Sequence, residues 1–214
     1  MENTKILLFD LDGVIIRPRH KYFSEKLSEE QNIPLEDIMP FFKGEYKKTT
    51  TGETEIEDVL PEYLKKWKWD GTVEEFLNYW FEGERDLDNQ MVKLIENLRK
   101  QGIQCYLVSD NEKNRAKYLM ETVNLKDMFD GAFFSADLGV TKSDSTFFTK
   151  VIEKLGVGSN TLVYWDDDIK NVDIAKSAGI DSFVYNDYGT LVRKLDELFP
   201  NEMKNIMAFD TDVF

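Results

Sequence analysis

The chain has 214 residues, 42% of them hydrophobic and 32% charged, and its 27 basic against 41 acidic side chains give a formal net charge of −14. This is the balance of a globular protein of one or two domains, and its summed field repels polyanions, which argues against a nucleic-acid or anionic-membrane binder but leaves room for a small anionic substrate at a locally positive site. A single cysteine, Cys105, excludes an internal disulfide framework, no apolar run reaches the roughly 18 residues of a membrane span, and the N-terminal apolar run stops at Asp10 without a basic region before it; the expected setting is cytoplasmic.

In chain order, Lys5 to Phe9 carries a short continuous apolar run, Ile6 to Phe9, that reads as a buried strand of a parallel sheet. From about Arg17 to Leu87 no strand pattern follows. Helical segments are expected instead at His20–Glu30, Leu35–Phe42, Glu55–Trp67 and Thr72–Phe81, the last opened by a capping box, Thr72 with Glu75. The rest of the chain alternates. Strands are expected at Gln104–Val108, Gly131–Phe134, Thr161–Trp165 and Ser182–Tyr185. Helices are expected at Gln90–Gln101, Lys113–Val123, Thr146–Leu155, Ile169–Ala178 and Tyr188–Leu198. Such alternation predicts βαβ units and a Rossmann-like parallel sheet covered on both faces. Residues 1–16 and 88–214 would form this core, and 17–87 a small all-helical domain inserted after the first strand. The tail Phe209-Asp210-Thr211-Asp212 echoes Phe9-Asp10-Leu11-Asp12 but lacks the glycine and a following helix, and reads as a surface terminus.

Four strand ends carry chemistry. Phe9-Asp10-Leu11-Asp12-Gly13 places two carboxylates past the carboxyl end of the first strand, the edge where open parallel sheets bind ligands. Such a pair can share a hard cation, divide labour as nucleophile and acid/base, or simply cap a turn. Val108-Ser109-Asp110 adds a hydroxyl before a helix whose first N–H groups could face a phosphate. Thr141-Lys142-Ser143 adds an isolated lysine, and Trp165-Asp166-Asp167-Asp168 a second acidic cluster. Asp168 reads as a helix N-cap, Asn171 either as a surface residue or as a partner of the acidic cluster, and Cys105 as a small buried hydrophobe. Their convergence on one sheet edge predicts a site.

These four motifs, in this order, resemble the haloacid-dehalogenase-like superfamily of hydrolases, mostly Mg²⁺-dependent phosphatases, and the helical insertion resembles the cap of many members. Phe42-Lys43-Gly44-Glu45-Tyr46, Asp137 to Lys142 and Asp166-Asp167 with Asn171-Val172 are most similar to small-capped sugar-phosphate phosphatases and the phosphatase domain related to soluble epoxide hydrolase. The resemblance implies that Asp10 attacks phosphorus, that Asp12 is acid and then base, and that Ser109, Asp110 and Lys142 form the phosphate site. It further implies Mg²⁺ held by Asp10, the Asp12 carbonyl and Asp167, with Asp166 orienting a water. A small phosphate ester is the expected partner, and a monomer or homodimer the expected state. Arg17, Arg19, His20 and Lys21 stand close enough in sequence to contact substrate or to be a solvated helix start. Trp67, Trp69, Phe76, Tyr79, Trp80 and Phe81 are expected to form the cap core and its seam. The connections at Ile16–Arg19 and Asp86–Asn89 are expected to be hinges.

Three departures from the pattern stand out: Asp110 after Ser109, Ser143 after Lys142, and Trp165 before the acidic pair. The Asp110 carboxylate is expected to turn back and cap the following helix. A sugar phosphomutase is the competing function, disfavoured because Pro18 and Tyr22 occupy the positions of that family's threonine and gating histidine. A dehalogenase is disfavoured by Asp12, since its leaving group needs no proton, and a non-catalytic protein by the intact motifs.

Overall fold

The computed structural model describes residues 5–18 and 20–209; Arg19 and the acidic tail beyond Phe209 lie outside the described residues. After β1 (Ile6–Phe9) the chain runs through α1 (Phe23–Gln31), α2 (Leu35–Pro40), a π-helical stretch at Phe41–Glu45, α3 (Tyr46–Thr49), α4 (Ile56–Lys66), α5 (Val73–Glu82) and α6 (Asn89–Lys100). It continues as β2 (Cys105–Ser109), α7 (Lys113–Lys117), a π turn at Tyr118–Thr122, α8 (Leu125–Met128), β3 (Gly131–Phe134), α9 (Ser135–Leu138), α10 (Ser145–Leu155), β4 (Leu162–Asp166), α11 (Ile169–Ser177), β5 (Asp181–Val184), α12 (Tyr188–Leu198) and α13 (Pro200–Phe209).

The five strands form one sheet in the order β3-β2-β1-β4-β5, with every pair parallel. Successive side chains of a strand point to opposite faces, so a central strand without polar residues must be covered twice. In β1, Leu7 and Phe9 pack with Met91, Leu94 and Ile95 of α6 and Leu191 and Leu195 of α12. Ile6 and Leu8 pack on the other face with Phe147, Phe148 and Val151 of α10 and Ala175 of α11. Trp165, the departure before the acidic pair, stacks on Phe9 with ring centroids 5.4 Å apart. It is a packing residue. Cys105 is fully buried in β2, as expected.

The inserted helices bury a cluster of their own. Phe23, Leu27, Ile38, Phe41, Leu60, Trp67, Phe76 and Trp80 belong to it, with Trp69 and Tyr79 packed against its edge. The predicted capping box forms: Glu75 N–H donates to Thr72 Oγ1 at 3.1 Å and Thr72 N–H to the Glu75 carboxylate at 2.7 Å. Three expectations need correction. The helix expected over Leu35–Phe42 ends at Pro40 and passes into π geometry at Phe41. The helix expected from His20 begins at Phe23, because the Tyr22 amide is taken by the Glu25 carboxylate at 2.8 Å. The helix expected over Lys113–Val123 passes into π geometry at Tyr118, which brings the Tyr118 ring to 5.5 Å from Phe81 while Leu119 enters the core.

The two connections of the insertion lie side by side. Ile16 bridges Leu87 in antiparallel fashion, Arg17 N–H donates to Asp86 O at 2.9 Å, and Asp88 N–H donates to Ile15 O at 2.8 Å. A second contact lies across the seam, where Ser135 Oγ donates to Thr50 O at 2.6 Å. Gly52, at φ +68°, approaches so closely that a Cβ would come within 2.6 Å of Ala136 O.

Candidate active site

Strand register brings the first acidic pair to the second. Phe9 pairs with Trp165, so the residues that follow, Asp10 and Asp166, leave the sheet side by side, and Asp10 N–H donates to Trp165 O at 2.8 Å. Lys142 reaches between them. Its Nζ donates to Asp10 Oδ1 at 2.5 Å and to Asp166 Oδ2 at 2.8 Å, and all three side chains are buried. Asp166 also accepts from the Tyr164 hydroxyl, from the backbone N–H of Asp168 at 2.8 Å, and from Asn171 Nδ2 at 3.2 and 3.1 Å. Asn171 is therefore a partner of the acidic cluster. Asp168 caps α11 by accepting from Lys170 N–H at 2.9 Å, as its sequence position predicts.

Asp167 differs from its neighbour in being exposed at the mouth of the site. Gly13 stands against it at φ +91°, where a Cβ would meet Asp167 Oδ2 at 2.2 Å. The glycine of the turn is thus required twice, for its backbone and for the carboxylate beside it.

Asp12 is held by a residue that sequence reasoning missed. Arg115, on α7 and only 4% exposed, donates from one guanidinium nitrogen to Asp12 Oδ2 at 3.0 Å and from the other to Asp12 Oδ1 at 2.7 Å. Arg115 also donates to Asn111 Oδ1 at 2.9 Å and lies 3.9 Å from Glu84 of the inserted segment. This fork–fork geometry fixes the orientation of the Asp12 carboxylate. A signal was present: Arg115 shares the Ala116–Leu119 face of its helix, where a charge is out of place.

Ser109 is buried at the end of β2, and its Oγ accepts from Asn111 Nδ2 at 2.8 Å. Two of the first N–H groups of the helix after it are already taken. The Glu112 carboxylate takes those of Asn114 and Arg115, at 2.8 and 2.5 Å. Glu112 is therefore the N-cap of α7, and Asp110 is not, contrary to expectation. Asp110 Oδ1 instead accepts the backbone N–H of Lys142 at 2.9 Å and ties the end of β2 to the lysine loop. Ser143, the other departure in that loop, pairs its hydroxyl with Thr141 Oγ1 at 2.7 Å. Of the basic residues after the first motif, His20 and Lys21 line a cavity with Asp12 and Asp167. Arg17 instead lies between Asp86 and Asp88, at 3.7 and 3.9 Å.

Electrostatics single out the Asp10 cluster. Burial pushes the Asp10 carboxyl up to about 8 against the pull of Lys142, and the Asp166 charge adds to the rise. Burial and then Asp166 also raise Asp167. Burial opposes the charge on Lys142, but the charges of Asp10, Asp166 and Asp110 outweigh it and keep the ammonium protonated. Carboxylate oxygens of Asp10, Asp166 and Asp167 lie within 4.8 Å of one another. Three carboxylates facing one ammonium leave a deficit of positive charge, and an all-oxygen donor set suits a hard divalent cation such as Mg²⁺. The residues present therefore fit a magnesium ion. Among the described residues no helix is long and apolar enough to cross a membrane.

An acid pair and a buried lysine at the carboxyl edge of a 3-2-1-4-5 parallel sheet define a class of hydrolase. Residues 4–179 match the haloacid dehalogenase-like hydrolases, and the chain belongs to that family. It is 29% identical over 93 residues to the sesquiterpene phosphatase astK of Aspergillus oryzae, covering 44% of this chain and 47% of that protein. It is 22% identical over 184 residues to a phosphorylated carbohydrates phosphatase of Thermotoga maritima, covering 82% of each. The chain thus spans about half the length of the first of these relatives. A HAD family enzyme of Bacteroides thetaiotaomicron has the same fold, with a TM-score of 0.75 at 20% identity over 88% of this chain and 98% of that one. That enzyme has also been crystallised with magnesium and inorganic phosphate.

Proposed function

We propose that the chain is a Mg²⁺-dependent phosphatase that hydrolyses a small phosphate monoester through an aspartyl-phosphate on Asp10. The observation that carries this reading is the buried Asp10–Lys142–Asp166 constellation beside an exposed Asp167. The phosphatase names of the relatives and the magnesium–phosphate complex of the structural neighbour support it. Asp10 and Asp167 would hold the cation together with the Asp12 carbonyl, and Asp166 would orient a water on it. Bound magnesium would reduce the repulsion between an anionic carboxylate and an anionic phosphoryl group.

The chain's own residues supply the remainder. Asp10 Oδ attacks phosphorus in line with the ester oxygen. Asp12, with one oxygen kept in the Arg115 fork and the other released and protonated, gives that proton to the leaving alkoxide and then takes one from the water that cleaves the aspartyl-phosphate. Lys142 and the Ser109 hydroxyl bind phosphoryl oxygens, where charge develops. In this reading residues 17–87 act as a cap that closes over the site and excludes bulk water.

Asp10→Asn is the direct test. The variant keeps the shape and the Lys142 hydrogen bond but lacks the nucleophile, so hydrolysis of acetyl phosphate should fall by at least about 10³-fold, roughly 4 kcal/mol, with the fold unchanged by circular dichroism. Turnover at the wild-type rate would remove Asp10 from the reaction.

A further inference from the structure

We infer that a cavity beneath α2 receives the leaving group of the substrate and selects an apolar one, a phosphate ester of a hydrocarbon or aromatic alcohol rather than of a sugar. The phosphate end of this inference rests on the reading above; the apolar end rests on the cavity.

Two cavities meet beside Asp12. The first, of about 490 Å³, runs over Asp12, Gly13 and Asp167 past His20 and Lys21. The second, of about 470 Å³, is walled on its apolar side by Phe23, Leu35, Met39, Phe42 and Trp80, and elsewhere by polar groups that include Glu84 and Arg115. Both are in the size range of small-molecule sites. They share Tyr22 and Glu25 in their walls, so they are immediate neighbours. Arg115 stands between them, in the wall of the second and gripping Asp12 in the first. A leaving group whose oxygen faces Asp12 therefore has the apolar cavity as its neighbouring space.

Phe23, Phe42 and Trp80 belong to the core of the inserted helices or pack on it, but Leu35 and Met39 do not. Helix α2 buries Ile38 in the cluster that holds the inserted helices together. Leu35 and Met39, four residues apart and so on one face of α2, lie outside that cluster and line the cavity instead. Tyr22 at 70% and Leu35 at 40% exposure are two of the few large apolar side chains left open to solvent, and both stand at this cavity. Convergence of exposed apolar groups on a concavity marks a ligand surface.

The charged groups of the wall already have partners. Glu25 accepts the Tyr22 N–H at 2.8 Å, Glu84 accepts the Trp80 Nε1–H at 3.0 Å, and Arg115 donates to Asp12 and Asn111. A polyol entering here meets the hydroxyl-bearing Tyr22, Ser24 and Tyr46 but a mainly apolar wall opposite them, so part of its hydration is lost without replacement, whereas a hydrocarbon gains from leaving water.

The test uses the full chain with Mg²⁺ and four esters: methyl, hexyl and decyl phosphate, and glucose 6-phosphate. We expect kcat/KM to rise with chain length and to exceed that for glucose 6-phosphate at least tenfold with decyl phosphate. Leu35→Lys and Met39→Gln, both outside the cap cluster and the catalytic residues, should cut the decyl value at least fivefold and leave methyl phosphate within twofold. Calorimetry with methylphosphonate and hexylphosphonate reads the same preference without chemistry. Equal kcat/KM across the series, or a chain-length preference untouched by both variants, overturns the inference and leaves the phosphatase reading standing. No turnover of any ester, with hexylphosphonate binding more tightly and losing that advantage in Met39→Gln, overturns the phosphatase reading and supports the cavity. Neither turnover nor length-dependent binding overturns both.

Discussion

Asp110 and Arg115 are the residues whose placement changes what the site is expected to do. Asp110 holds the Lys142 backbone through one carboxylate oxygen, a bond that the amide oxygen of asparagine reproduces. Asp110→Asn should therefore change kcat/KM less than about fivefold, whereas Asp110→Ala releases the lysine loop and should cost about tenfold, or roughly 1.4 kcal/mol. Steady-state kinetics on one small ester separates the two; an Asn variant as slow as the Ala variant would mean that the negative charge itself matters. Arg115 presents a planar fork to Asp12 and a charge to Glu84. Lysine preserves the charge but not the fork. Arg115→Lys should lower kcat about ten- to a hundredfold, while urea unfolding shows a loss of only about 1–3 kcal/mol because Asp12 and Glu84 keep a cation nearby. A variant with unchanged kcat would show that Asp12 needs no such orientation.

At the scale of single elements, helix caps contribute to the acid limb of stability. The carboxyls of Glu75, Asp144 and Asp187 lie below the ordinary range, each because backbone N–H groups at its helix start donate to the ionised form. A carboxyl that is more acidic in the folded chain contributes stability above its unfolded value, near pH 4, and loses it as pH falls through the lower folded value. Replacing Asp144 and Asp187 with asparagine, which caps but does not titrate, should flatten the fall in melting temperature between about pH 5 and 2. Parallel melting curves for wild type and variant across that range would show that the caps do not titrate with folding. The same scale explains the π turn at Tyr118. Periodicity predicts one helix there, because the pattern of apolar side chains is nearly the same for both geometries over five residues.

For the molecule as a whole, the inserted helices own a core of their own and join the sheet domain through two adjacent connections and a seam. The proposed cap would move about Ile16–Pro18 and Asp86–Asp88, where the connections pair with each other rather than with the sheet. Binding of Mg²⁺ with a metal-fluoride phosphate mimic should shift the cap relative to the core, seen as a change in small-angle scattering and in hydrogen exchange at both connections. An identical scattering profile and identical exchange with the mimic bound would mean a fixed cap. The docked contact of Gly52 with Ala136 makes the seam sensitive to substitution. Alanine at Gly52 adds both a strained positive φ and a clash, and should loosen the seam before it unfolds the core.

What the sequence by itself determined is local. Short apolar runs ending in Asp10, Ser109 and Asp166 marked strands and the ligand edge of the sheet. Asp168 and the Thr72–Glu75 box announced helix starts, because burial and capping imprint periods of two to four residues on the chain. Only the tertiary structure decided the partnerships: Arg115 with Asp12 across 103 residues, Asp110 with the Lys142 loop across 32, and Tyr164 and Asn171 closing around Asp166. It also decided that Leu35 and Met39 face a cavity and not the cap core. Hydrophobic periodicity shows that a side chain leaves water but not what it meets there, and a charged residue on a buried face signals a partner without naming it. Those pairings arise when separately specified elements pack, and the geometry of that packing belongs to no single stretch of the chain.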